Sequence, residues 1–124
     1  LPVVERQAGV HISYEKSGTS FPVNGNAAIH VYRILQEALN NVTRHSGAKE
    51  AWVRLRLQPD TLELEVEDHG VGFLPQTAKP GIGLVAMRER AELLRGTIEF
   101  TKPVEGGTLV RLKVPREKLD SHAE

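Results

Sequence analysis

The sequence contains no cysteine, which excludes disulfides and thiolate-ligated metals and fits a reducing compartment. It also lacks a net charge, because 16 Lys plus Arg balance 16 Asp plus Glu. A neutral chain has no electrostatic footprint for general nucleic-acid binding, so any anion it holds must be held by local geometry. No apolar run approaches membrane-spanning length, and no basic-then-apolar signal peptide opens the chain. Nor does it begin with methionine: the first residue is Leu1, and the chain is expected to be a piece of a longer protein.

What is present is an ordinary globular mixture. The 124 residues are 40% apolar and 26% charged, enough for one domain with a single core. Residues Leu1 to Ala8 are compatible with the end of a helix. Val10 to Tyr14 reads as a short strand, and Ser17 to Ser20 as a loop. A helix is expected from Asn24 or Asn26, either of which is a suitable N-cap, to about Ser46. Val31, Ile34, Leu35, Ala38 and Val42 recur at helical spacing on one face, and Gly47 stands where a left-handed cap belongs.

Two alternating segments, Glu50 to Gln58 and Thr61 to Glu67, flank Pro59-Asp60 and predict an antiparallel hairpin with one covered and one wet face. Asp68 to Pro80 is a loop. A second helix over Leu84 to Leu94 and strands over Thr97 to Thr101 and Leu109 to Val114 follow. Residues 115–124 form a polar tail expected to fray. The order of elements predicts one α+β domain over 1–124: a two-layer sandwich, its core spanning Val10 to Val114, with helices on one face of a mostly antiparallel sheet.

Four constellations carry candidate chemistry, each with a plainer reading beside it. Arg33, Glu37, Asn41, Arg44 and His45 form a polar stripe on the first helix. It is either a solvated face with an Arg33–Glu37 pair, or a phosphate and Mg²⁺ site in which the Asn41 carbonyl is a hard oxygen ligand. Asp68-His69-Gly70-Val71-Gly72-Phe73 ends a strand. It is either a simple Asp-Gly turn, or a carboxylate that accepts an exocyclic amine beside glycines that admit a flat base. Gly81-Ile82-Gly83-Leu84 opens the second helix, as a hinge or as an anion site of free amides; it follows neither the P-loop nor the Rossmann spacing. Arg88 and Arg90 nearby read as surface charges or as phosphate contacts. Gly106-Gly107-Thr108 precedes the last strand, as a hairpin turn or as a loop delivering the Thr108 hydroxyl to Asp68.

In this order and spacing the four motifs resemble the GHKL ATP-binding family of gyrase, MutL, heat-shock-chaperone and histidine-kinase ATPase domains. Within it the chain is most similar to sensor histidine kinases of the nitrate-sensor type. The N-box-like segment runs from Arg33 to Ser46, and a second glycine box runs directly into Met87-Arg88-Glu89-Arg90-Ala91. The likeness covers about Val10 to Val114.

The resemblance implies a Bergerat-type sandwich that binds ATP and Mg²⁺. By position, Asn41 would coordinate Mg²⁺, and Asp68 would bind the adenine amine with support from Thr108. Gly70 and Gly72 would admit the base. Gly81, Gly83 and Leu84 would present amides to phosphate, with Arg44 and His45 as basic neighbours. Glu37 matches the residue that activates water in the ATPase members; in a kinase it is expected to orient groups near the metal more than to act as a base. The lid between the glycine boxes, Leu74 to Pro80, is short.

None of His11, His30, His45, His69 or His122 sits in a phosphoacceptor context. The implied partner is therefore a separate dimerisation and phosphoacceptor domain, with a response regulator reached indirectly. The isolated domain is expected to be monomeric and cytoplasmic. An anti-sigma-factor-type serine kinase shares the nucleotide fold, but the Met-Arg-Glu-Arg helix and the Arg-His end of the N-box disfavour it. A nucleotide-sensing module without catalysis is disfavoured by the retention of all four motifs.

Overall fold

Period-two alternation over residues 50–67 gives the central hairpin of the sheet, and the apolar stripe from Val31 to Val42 gives the first helix. A computed structural model describes the backbone of residues 3–7 and all of 9–71 and 83–120, apart from the side chains of His45 and Ser46. The strands are β1 (Val3–Gln7), β2 (Val10–Gly18), β3 (Glu50–Leu57), β4 (Thr61–Asp68), β5 (Thr97–Thr101) and β6 (Thr108–Pro115). They form one sheet in the order β1-β2-β3-β4-β6-β5. Only β2 and β3 pair in parallel, and every other neighbour is antiparallel. The helices are α1 (Gly25–Asn41) and α2 (Leu84–Leu93). The predicted two-layer α+β class is the one observed.

Asn24 is the cap that α1 uses, its side chain accepting the Ala27 N–H at 2.8 Å. Ile34, Ala38 and Val42 from the apolar stripe are buried, while Val31 and Leu35 pack at its margin. On the sheet, Ile12, Val53, Leu64, Val66, Val110 and Leu112 face them, and α2 adds Met87 and Ala91.

Four expectations change. The first strand replaces the helix end expected before Ala8, because Val3–Gln7 pairs with the outer edge of β2. β2 runs to Gly18, through part of the expected loop, since β3 gives it a partner as far as Leu57. The helix ends as α at Asn41 and continues as a π-helical turn, Val42–Ser46, before Gly47 closes it in the left-handed conformation (φ 68°). Finally, the start of the tail is ordered. Arg116–Leu119 is a 3-10 turn with Leu119 fully buried, and its carbonyl accepts the Asn24 N–H at 2.9 Å. The turn is docked by the Leu119 side chain together with hydrogen bonds to Asn24 and Asp60; residues 121–124 lie outside the described residues.

The charged face of the β3–β4 hairpin is only partly wet: its arginines reach solvent, but two of its carboxylates do not. Glu63 and Glu65 are buried beneath cross-strand arginines whose aliphatic stems cover them. Arg54 on β3 and Arg111 on β6 stand opposite Glu65 on either side. Their guanidinium groups donate to it at 2.8 and 2.7 Å, and Arg56 bridges Glu63 and Glu65 at 2.6 and 2.9 Å. Burial pushes the Glu65 carboxyl up, but hydrogen bonds from Arg54 and Arg111, with the charges of Arg56 and Arg111, outweigh it and hold it at about 2.

A folded-state value below the ordinary 4.5 means stability that is present above that pH and lost as pH falls toward about 2. The shift corresponds to roughly 3 kcal/mol. Urea unfolding between pH 6 and 2 is expected to show this loss, and Glu65→Gln to flatten the pH dependence while lowering stability at pH 6. An unchanged slope in Glu65→Gln would mean that other carboxylates carry the acid sensitivity.

Candidate functional site

Even-numbered residues of β4 point to the helix-covered side of the sheet, so the acid that ends this strand is turned inward. Asp68 is 1% exposed, and its cross-strand partner Thr108, the first residue of β6, is 0% exposed. Thr108, whose hydroxyl is expected to serve Asp68, is thus its direct cross-strand neighbour. Asp68 Oδ1 accepts the Gly70 N–H at 2.8 Å, the aspartate-led turn expected of Asp-x-Gly. This bond fixes the carboxylate's orientation.

The loop before β6 contributes a residue that the candidate set omits. Gly107 adopts φ 89°, and a Cβ there would lie 2.0 Å from the Asp68 carbonyl oxygen. Only glycine lets the β5–β6 loop lie against the end of β4. The signal was the doubled glycine before Thr108, which sequence alone leaves as either a hairpin turn or a loop delivering the Thr108 hydroxyl.

On the helices, Glu37 and Asn41 lie one turn apart on α1. Asn41 is 2% exposed, and its Nδ2 has no hydrogen-bond partner among the described residues. Leaving a buried amide unpaired costs about 1–3 kcal/mol. A rotation about χ2 turns either end of the amide toward a ligand, the oxygen to a cation or the nitrogen to an anion. Such an orphaned group fits a hard metal ion with its bound phosphates.

Glu37 is half-buried and touches the start of α2. A Cβ on Gly83, which has φ 87°, would meet the Glu37 carboxylate at 2.3 Å. Gly83 is the N-cap of α2 and supplies no side-chain cap, so the first-turn amides that begin at Leu84 are left for another acceptor. Between the helices a cleft of about 300 Å³ is lined by Arg33, Gln36, Glu37, Ala86, Met87 and Arg90. A larger groove, about 1290 Å³, is lined by Asn24, His30 and Leu93 among others, and by neither Glu37, Asn41, Asp68 nor Thr108.

The expected Arg33–Glu37 pair does not form, since Arg33 donates instead to Gln36 at 2.8 Å. Arg88 stacks 5.0 Å from the Phe100 ring, and Arg90 lies 3.1 Å from His30 Nδ1, so both have structural partners. Arg44 is exposed on the π-helical turn. His45 shares that turn, its side chain outside the described residues; Gly72, Gly81 and the lid over Leu74 to Pro80 also lie outside them.

The profile of the family described as "Histidine kinase-, DNA gyrase B-, and HSP90-like ATPase" matches residues 26–118. The oxygen sensor histidine kinase NreB of Staphylococcus carnosus is 34% identical over 113 residues, 90% of this chain and 33% of the relative. The sensor protein VraS of Staphylococcus aureus is 32% identical over 121 residues, 97% and 35% respectively. The chain therefore spans about a third of the length of these curated relatives. Among solved structures, the ATP binding domain of PrrB from Mycobacterium tuberculosis superposes with a TM-score of 0.71 at 21% identity, covering 89% of this chain and 82% of that one. A blue-light activated histidine kinase of Erythrobacter litoralis gives 0.66 at 22% identity, covering 89% and 36%. These two likenesses speak to the fold.

The contact between Gly107 and Asp68 predicts a contrast between adjacent glycines. Both Gly106 and Gly107 have positive φ, but a Cβ on Gly106 meets nothing nearer than 3.8 Å. Gly106→Ala is expected to cost about 1 kcal/mol in urea denaturation, and Gly107→Ala about 2 kcal/mol more. Equal losses would show that the loop can withdraw from β4 freely.

Proposed function

The chain belongs to the histidine kinase-, DNA gyrase B- and HSP90-like ATPase family, and from that premise we propose that it is the ATP-binding catalytic domain of a sensor histidine kinase. It passes the γ-phosphoryl group of ATP to a histidine on a separate dimerisation and phosphoacceptor domain, from which a response regulator is charged. The observation that carries the reading is the buried Asp68–Thr108 pair at a strand end, held by glycine contacts, together with a buried Asn41 on the first helix whose Nδ2 has no partner among the described residues.

In this reading Asp68 accepts a hydrogen bond from the adenine amine, and Thr108 holds the carboxylate in place. Gly70 and Gly72 keep the approach to the base open. The first-turn amides of α2, placed by Gly81, Gly83 and Leu84, face phosphate. Arg44 and His45 supply positive charge at the phosphate end. Asn41 Oδ1 is the protein ligand offered to Mg²⁺, and a bound Mg²⁺ would neutralise charge on the β- and γ-phosphates. Glu37, fixed against Gly83, orients groups beside Asn41. Phosphoryl transfer asks the protein chiefly for such positioning. The acceptor histidine and its base belong to the partner domain. We place the domain in the cytoplasm, where ATP and response regulators are available. No helix of the described residues is long and apolar enough to cross a membrane.

Two measurements test this. Asp68→Asn is expected to weaken ATP binding roughly ten- to a hundredfold in a folded protein, whereas Asn41→Ala should weaken Mg²⁺-ATP more than metal-free ATP. Calorimetry showing unchanged affinity in the first, or equal losses in the second, removes that residue from its role. The kinase reading itself is tested with radiolabelled ATP and the acceptor domain of a similar sensor kinase. Slow appearance of acid-labile label on the acceptor is expected, because untethered domains forgo a ~mM effective concentration. ATP binding without any transfer would favour a nucleotide-sensing module.

A further inference from the structure

On the outer face of the sheet, behind Asp68, three side chains from two chain segments converge. Glu67 precedes Asp68 in β4, His69 follows it, and Glu105 lies in the β5–β6 loop. One ligand atom from each lies within 4.8 Å of the others. Among the described residues this is the only such group of three metal-ligating side chains. We propose that Glu67, His69 and Glu105 form a binding site for a first-row divalent transition ion of the Zn²⁺ class.

The donor set decides the class of ion. One imidazole nitrogen and two carboxylates suit Zn²⁺ or Co²⁺, whereas Mg²⁺ takes oxygen alone. The second layer is also in place. The Trp52 ring lies 4.9 Å from the His69 ring, centroid to centroid, and packs against it at a tilt of 42°. Arg54 bonds Glu67 Oε1, leaving Oε2 directed at His69 Nε2, 2.9 Å away. Anchoring of this kind orients metal ligands in known sites.

The two segments are also brought together without the ion. The backbones of Gly106 and Gly107 pack against Gly70 and Asp68, which sets Glu105 beside His69. Around a tetrahedral ion with ~2.1 Å bonds, ligand atoms are about 3.4 Å apart. The pair at 2.9 Å must open slightly, and Glu105 must move inward, which an exposed side chain does by rotation. His69 Nε2 then turns its lone pair to the ion, with its proton on Nδ1. Three protein ligands leave the fourth position to water.

The chain contains one tryptophan, and it is the residue whose ring lies beside His69, so Co²⁺ is both a Zn²⁺ surrogate and a quencher at the site. Co²⁺ titrated into the full chain without nucleotide is expected to quench Trp52 saturably at micromolar concentration, and Zn²⁺ to reverse the quench by competition. His69→Gln and Glu105→Gln should each weaken binding by about tenfold or more, while His11→Gln leaves it unchanged. Glu105 makes no hydrogen bond or ion pair among the described residues, so its substitution does not threaten the fold. Absence of a saturable quench, or a midpoint that stays put in both His69→Gln and Glu105→Gln, would overturn the site. Neither result bears on ATP binding, which is measured separately.

Discussion

The pairing of the end of β4 with the start of β6 is the constraint on which the rest of the site depends. Asp68 stands opposite Thr108, and neither strand can slip by one residue without turning its own side chain to the other face. Two devices pin it. On the inner face the apolar residues of both strands join the core; on the outer face Glu65 is held between Arg54 and Arg111. A buried ion pair adds little net stability over an apolar substitute, but a misregistered strand would leave its charges uncompensated, which costs several kcal/mol. The charged face thus helps specify where the inward carboxylate points.

The helices meet this strand end through an equally narrow contact. Gly83 fits α2 against the Glu37 carboxylate, so the N-terminus of α2 and the polar stripe of α1 are set relative to one another by van der Waals contact. The π-helical turn after Asn41 has the same flavour. It widens the chain path where the polar stripe ends, and such turns are frequent at functional sites. Groups on separate elements thus meet at glycines: backbone on backbone at Gly107, and backbone on the Glu37 side chain at Gly83.

Much of this was legible in the sequence, and the reason is local. Pro59-Asp60 between alternating runs announced the hairpin, Gly47 the helix stop, and the apolar spacing from Val31 to Val42 the buried face. Asp68 and Thr108 could be singled out because glycines flank them. What could not be read was set by partners distant in sequence. Val3–Gln7 became a strand because β2 offered an edge, and Arg33 bonds Gln36 instead of Glu37, a choice that helical spacing alone does not decide. The burial of Glu65 required knowing that Arg54 and Arg111 flank it from two different strands. The docking of Leu119 needed a cavity at the head of α1 that no local pattern reveals.

That docked turn ties the two ends of the fold together in time as well as in space. Asn24, which caps α1, also holds the backbone of Leu119 and Asp120, and β6 must enter between β4 and β5 before the sheet is complete. During synthesis, therefore, β4 emerges with one edge open and α1 with its head uncovered until the residues near 119 leave the ribosome. The nascent chain can form its first hairpins early, but it cannot bury Asp68 beside Thr108 until translation of this region is over. Competence to bind a ligand at that strand end is in consequence acquired in one late step.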